Sequence, residues 1–262
     1  MRVWVGTSGW QYPTWKDTFY PPGVPQRAWL AYYVTRFPIV EVNNSFYRLP
    51  DAATFERWRD ASPPGFVFAV KANRVITHLQ RMRAASEHVA RFWARARALG
   101  DKLGPVLFQF PPSFAADVPR LADFLEVLPF GMRAAFEFRH RTWVRDDVFE
   151  LLDRAGAAWV LADRGGAKVP SIATGGFAYV RFHHGLPDRP GYPREALARW
   201  AKRIASMRAP EVFAFFNNDQ EVAAPGDALT LTQMLRDKGC DVVEPTAPPP
   251  PARPEQLRLP HV

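Results

Sequence analysis

Eight short apolar runs, most of them followed by a stretch of helical spacing, constrain this chain more than any other feature of it. The runs lie at residues 3–9 (VWVGTSG), 39–43 (IVEVN), 66–71 (FVFAVK), 105–110 (PVLFQF), 133–138 (RAAFEF), 157–163 (AAWVLAD), 177–183 (FAYVRFH) and 211–216 (EVFAFF). Between them, helical patterns are predicted over 27–37, 51–58, 82–99, 119–128, 146–156, 193–207 and 227–238. Asp51 suits an N-cap and Pro119 a first helical position. The connection over 164–176 is Gly-rich and carries no helical pattern. Strand–helix alternation predicts a parallel sheet, and about eight units favour closure into a TIM-type (β/α)8 barrel. With 262 residues the chain is long enough for one. An open doubly wound sheet is the alternative, but no Gly-rich phosphate fingerprint opens the first helix.

From Pro245 the chain changes character, to PTAPPPPARPEQLRLPHV. Polyproline cannot join a helix or a central strand, so the expected organisation is a barrel over 1–244 and a flexible tail over 245–262. Cys240 is the single cysteine, which excludes a disulfide framework and a cysteine-based zinc site. There is no signal peptide and no apolar run of membrane-spanning length, so the chain reads as cytoplasmic with no membrane partner. The formal net charge of +8 favours an anionic partner, a small phosphorylated molecule or a nucleic acid. An Arg-rich composition inherited from a GC-rich genome gives the same balance.

In a barrel, alternate residues of each strand face the interior or the helices. With the bulky apolar set assigned to the helices, the interior receives Glu41 and Asn43 from the second strand and Lys71 from the third. The fourth gives Gln109, the fifth Glu137 and Arg139, the sixth Asp163, and the seventh Arg181 and His183. The eighth offers Asn217 or Asn218, its parity being ambiguous, and the first Thr7 or Ser8. Nearly every strand thus ends in a polar group, at the end where barrel enzymes hold their sites. A barrel plugged by paired charges, Glu41 with Lys71 and Glu137 with Arg181, accounts for one or two pairs but poorly for a full ring, because each buried charge is expensive to desolvate.

Several chemistries fit these residue types. Glu41 and Glu137 suit an acid–base pair, with Lys71 and Asp163 as further catalytic candidates. Lys71 also suits phosphate binding, and Arg139 and Arg181 a bidentate oxyanion partner. Asn43, Gln109, His183 and Asn217 are candidate substrate contacts. Trp10 and Tyr47, with Tyr12 and Phe46, are placed to stack on a base or sugar at the mouth or to form a hydrophobic lid. Glu137, Asp163, His183 and Asp219 carry donor types for a divalent metal, although no HxH or HExxH spacing accompanies them.

The motifs VGTSGWQYPTWKDTFYP, VEVNNSFYRLP, FAVKANRVITH, LGPVLFQFPPSF, FEFRHRTW, YVRFHHG and FFNND, in order over nearly all of residues 3–240, together resemble the domain of unknown function 72 (YecE-like) family. The resemblance implies a TIM-type barrel and no settled activity or catalytic residue. In the tail, Gln256, Leu257 and Leu259 resemble a bacterial sliding-clamp-binding peptide, whereas Arg258 and Pro260 depart from its small or acidic position and its aromatic anchor. The leading expectation is a hydrolase acting on a phosphate-bearing substrate, nucleic acid or nucleotide, at the barrel mouth. The alternatives are a non-catalytic nucleic-acid-associated module and a carbohydrate-active enzyme using the glutamate pair.

Overall fold

A computed structural model of the chain describes residues 1–164, 170, 172–183 and 190–246. Its strands are β1 (Arg2–Thr7), β2 (Ile39–Val42), β3 (Val67–Lys71), β4 (Leu103–Gln109), β5 (Ala134–Glu137), β6 (Ala158–Asp163), β7 (Ala178–Phe182), β8 (Glu211–Phe216) and a two-residue β9 (Asp241–Val242). All pairings among them are parallel. They run in sequence order from β2 to β8, then to β1, which returns to β2 and closes the barrel. The helices are α1 (Trp29–Tyr33), α2 (Asn44–Tyr47), α3 (Ala52–Asp60), α4 (Ser86–Ala96), α5 (Val118–Glu126), α6 (Asp146–Arg154), α7 (Arg194–Ala205) and α8 (Ala223–Asp237).

The helix boundaries differ from the sequence pattern where backbone geometry intervenes. Asp51 does cap α3, accepting from the Thr54 amide at 2.8 Å. The helix predicted from residue 82 begins only at Ser86, because Arg81, Met82 and Ala84 all adopt positive φ. The polar segment after β2 forms the single turn α2. Its Ser45 hydroxyl reaches the carbonyl oxygens of Val42 (3.0 Å) and Lys71 (2.7 Å), tying the upper ends of β2 and β3 together.

The barrel closes over a narrow seam. β1 and β2 share one register point, Thr7 opposite Val40, and β9 pairs with the lower end of β1. The phenol of Tyr33 spans the seam: it donates to the Ile39 carbonyl (3.0 Å) and accepts from the Thr7 amide (3.0 Å). It thereby satisfies two buried backbone groups that a direct ladder bond would otherwise pair. Gly6 is required at the same place, since a Cβ there would lie 2.2 Å from the Ile39 carbonyl oxygen.

The apolar interior corrects one expectation. Bulky residues do not all face the helices: Trp4, Phe177, Tyr179, Phe213 and Phe215 point into the barrel, opposite the small Ala69, Ala135, Ala158 and Ala162. Large rings on β1, β7 and β8 fill the volume that the alanines of β3, β5 and β6 leave, which keeps the interior at protein density. This also settles the eighth strand. Phe213 and Phe215 face inward, so Asn217 follows them, while Asn218 turns outward to the Pro190 carbonyl and the Asp227 carboxylate.

Candidate functional site

At the C-terminal ends of the strands the apolar filling gives way to one buried cation. Arg181, on the inward parity of β7, donates through Nη2 to Glu41 Oε1 (2.7 Å) and through Nη1 to Glu137 Oε2 (2.6 Å). All three side chains are within 1% of full burial. Tyr179, two residues earlier on the same face, donates its phenol to Glu41 Oε2 at 2.6 Å. Glu137 Oε1 takes Arg139 Nε at 3.1 Å and faces His183 Nε2 at 3.4 Å. Burial alone would favour protonated carboxyls, but the Arg181 guanidinium prevails and holds both below the ordinary carboxylate range. Burial drives the Tyr179 phenol the other way, well above its usual value, with the Glu41 charge adding to it.

Above this cluster lies a cavity of about 710 Å³, within the range of small-molecule sites. Asn43, Lys71, Gln109, Arg139, Arg181 and Asn217 line it, with Trp10, Tyr12, Phe46, Tyr47 and His78 around them. The strands bring Asn43 and Asn217 together across the mouth (3.3 Å), and Asn43 also holds the Ser8 carbonyl (2.9 Å). His183, just past the end of β7, joins the network through an Nδ1 contact with Asn217 at 3.2 Å. Lys71 Nζ donates to Gln109 Oε1 at 2.8 Å and sits 4.2 Å over the Phe46 ring. Burial, then the charge of Arg181, pulls its ammonium down to about 8. No carboxylate among the described residues lies within ion-pairing distance of it.

Apart from Asp163, the sequence-predicted residues therefore fall into three groups. Asn43, Lys71, Gln109, Arg139, Arg181, Asn217 and Tyr47 line the cavity, Tyr47 with 74% of its surface exposed. Trp10 lines it only by an edge, its ring being packed at 5.1 Å against Trp58 in the layer between strands and helices. Glu41, Glu137 and His183 are buried and do not line it. The oxygens of the two glutamates are engaged by Arg181, Tyr179 and Arg139, so they supply the counter-charge that holds Arg181. Of the two pairs that a charge-plugged barrel would hold, Glu137–Arg181 forms at 2.6 Å and Glu41–Lys71 does not, because Arg181 takes both glutamates.

Asp163 is misplaced by the parity reading. It shares the outward face of Trp159 and Leu161 and accepts from the Trp200 indole of α7 at 2.6 Å. β6 is apolar on both faces, so its alternation carried no signal. Asp163 does not line the cavity. Asp219 is bonded to the Trp15 indole, and among the described residues no group of three or more His, Cys, Asp or Glu is positioned to hold a metal ion.

Two contributors were not singled out in the sequence. Tyr179 shares the parity of Arg181 in FAYVRFH and was recoverable from it. His78 ends the FAVKANRVITH motif on a π-turn over Val75–Leu79, edge-on to Phe46 at 4.9 Å. Burial, then the Lys71 charge, pulls its imidazole down to about 4, so it is neutral at pH 7. No sequence pattern announces such a turn. Gln256–Leu259 lie outside the described residues, and no helix among those described is long and apolar enough to cross a membrane.

A closed parallel barrel carrying a polar ring at the C-terminal ends of its strands defines a TIM-type barrel protein. A family model described as a protein of unknown function, DUF72, matches residues 4–253, and the chain belongs to that family. It is 27% identical over 270 residues to the UPF0759 protein YunF of Bacillus subtilis (strain 168), covering 89% of this chain and 94% of that one. Among solved structures it resembles a DUF72 family protein from Thermotoga maritima MSB8 at 30% identity, with a TM-score of 0.81 over 90% of this chain and 100% of that one. A DUF72 family protein from Enterococcus faecalis V583 shares the fold at 20% identity, with a TM-score of 0.74 over 89% of this chain and 95% of that one.

Proposed function

We propose that this protein is an enzyme acting on a phosphate-bearing small molecule held at the C-terminal mouth of the barrel. The observation that carries the reading is the distribution of charge. Lys71, Arg139 and Arg181 reach the cavity from β3, the end of β5 and β7, while the two carboxylates of the ring do not line it and are already engaged by Arg181. An anion entering the cavity meets a desolvated ammonium and the outer edge of a guanidinium, and no carboxylate is among the described residues that line it. Amides from Asn43, Gln109 and Asn217 add orienting hydrogen bonds, and Phe46 and Tyr47 offer faces for a ring. The test is thermal protection by inorganic phosphate and by nucleoside monophosphates, in the wild type and in Arg139→Gln. Protection lost in the variant supports the reading; no protection by any phosphate compound removes it.

A second reading, a single-stranded nucleic acid laid across the rim, is favoured by the exposed Tyr47 and Leu79 beside the exposed Arg48 and Arg74. Its signature is salt-steep oligonucleotide binding that survives Arg139→Gln.

A further inference from the structure

The cavity holds a cation that is poorly built to be only a cation. Only six of the chain's 34 Lys and Arg residues are lysines. At one buried lysine the reason is structural: Lys102 places three protons on the carbonyls of Arg59 (2.5 Å) and Ser62 (2.5 Å) and on the Ser62 hydroxyl (3.1 Å), a convergent arrangement that a planar guanidinium cannot match. Lys71 has no such requirement. It makes one side-chain hydrogen bond, to the neutral Gln109, and lies against an aromatic face; the Arg181 charge adds to the effect of burial, Glu41 and Glu137 offset part of it, and no carboxylate among the described residues pairs with it. A cation meant only to bind an anion would do better as a guanidinium at this site. An amine that is desolvated, flanked by other positive groups and unpaired with a carboxylate is the arrangement that makes lysine a nucleophile.

We infer that Lys71 forms an imine with a phosphate-bearing aldehyde or ketone bound in the cavity; the inference rests on the phosphate reading for its substrate class. In the step, the Lys71 nitrogen lone pair attacks the carbonyl carbon and the C=O π electrons move to oxygen. The nitrogen gives up a proton and the oxygen takes one, forming the carbinolamine. Loss of the hydroxyl with a second proton from nitrogen then leaves C=N and one water. No oxidant or reductant is needed. The neutral imidazole of His78, lining the same cavity, is available to accept and return the proton. Arg139 receives the phosphate.

The experiment uses the full chain, pyridoxal 5′-phosphate as the probe and sodium borohydride to reduce any imine to a stable secondary amine, with the labelled lysine located by peptide mass. At pH 7 a lysine at about 8 has about 300 times the free-amine fraction of one at its ordinary 10.5. Lys71 is therefore expected to label first, ahead of the exposed Lys16, Lys202 and Lys238. Its labelling rate should level off above pH 8, and pyridoxal without its phosphate should react at least tenfold more slowly. Lys71→Met abolishes the fast label, and Lys71→Arg, which keeps the positive charge, abolishes it as well. Labelling spread evenly over the lysines, or unchanged in Lys71→Met, overturns the inference while leaving phosphate binding to stand on its own protection assay. Equal rates for pyridoxal and its phosphate overturn the assigned substrate class, and with it the proposed function.

Discussion

Replacing Arg181 with methionine isolates the electrostatics on which the site is built. The substitution roughly keeps the apolar stem and removes the guanidinium that bridges Glu41 at 2.7 Å and Glu137 at 2.6 Å. Removing one partner of a buried ion pair costs about 3–5 kcal/mol, and here two carboxylates lose the same partner. The loss has a ceiling, because each carboxylate can take up a proton instead of remaining buried and unpaired. From the ordinary carboxyl value of 4.5, protonation at pH 7 costs about 3.4 kcal/mol per group, or about 7 kcal/mol for both. At pH 5 the same ceiling falls to about 1.4 kcal/mol. The variant should therefore be destabilised by about 5–7 kcal/mol at pH 7 and should recover most of that on acidification to pH 5. The wild type behaves in the opposite sense. Its two carboxyls are held below 4.5, so the stability they contribute is fully present above that value and is lost as pH falls through their lower native values. Urea unfolding followed by circular dichroism at pH 5 and pH 7 reads both trends. A variant too unstable at pH 7 is compared with the triple variant Glu41→Gln, Glu137→Gln, Arg181→Met, which carries no buried charge at these positions and should fold at both pH values. An equal loss at pH 5 and pH 7 in Arg181→Met would refute the argument, since it would mean that packing and not charge compensation dominates.

Three further outcomes follow from contacts elsewhere in the barrel. Tyr33→Phe should destabilise by about 2–4 kcal/mol in urea unfolding, because the Thr7 amide and the Ile39 carbonyl both lose a buried partner; a change under about 0.5 kcal/mol would mean that water replaces the phenol. Gly6→Ala should give little folded protein on expression, its Cβ meeting backbone rather than a movable side chain at 2.2 Å; a cooperative unfolding transition near the wild-type midpoint would contradict this. Lys102→Met should lower stability by about 2–4 kcal/mol, since the acceptors at Arg59 and Ser62 lose a shared donor, without changing phosphate protection at the distant mouth. Loss of that protection would show that the α3 C-terminus and the cavity are coupled.

The sequence by itself determined the barrel, because strand–helix alternation is a local signal repeated eight times. It also determined most of the inner ring, because a strand with one polar and one apolar face declares its orientation: Glu41, Asn43, Lys71, Gln109, Glu137, Arg139 and Arg181 are all where parity places them. It failed where both faces read alike. β6 is apolar on either side, so Asp163 was drawn inward when it belongs to the Trp200 indole, and β8 left Asn217 and Asn218 undecided until Phe213 and Phe215 were seen filling the space opposite the alanines. Pairing was beyond its reach altogether. Nothing local distinguishes a Glu41 that meets Lys71 from one that meets Arg181 across 140 residues of chain; the stagger of the closed barrel decides it. That choice gives both glutamates to Arg181 and leaves Lys71 with no paired carboxylate among the described residues, so the charge available to a ligand is a property of the tertiary structure and not of the composition.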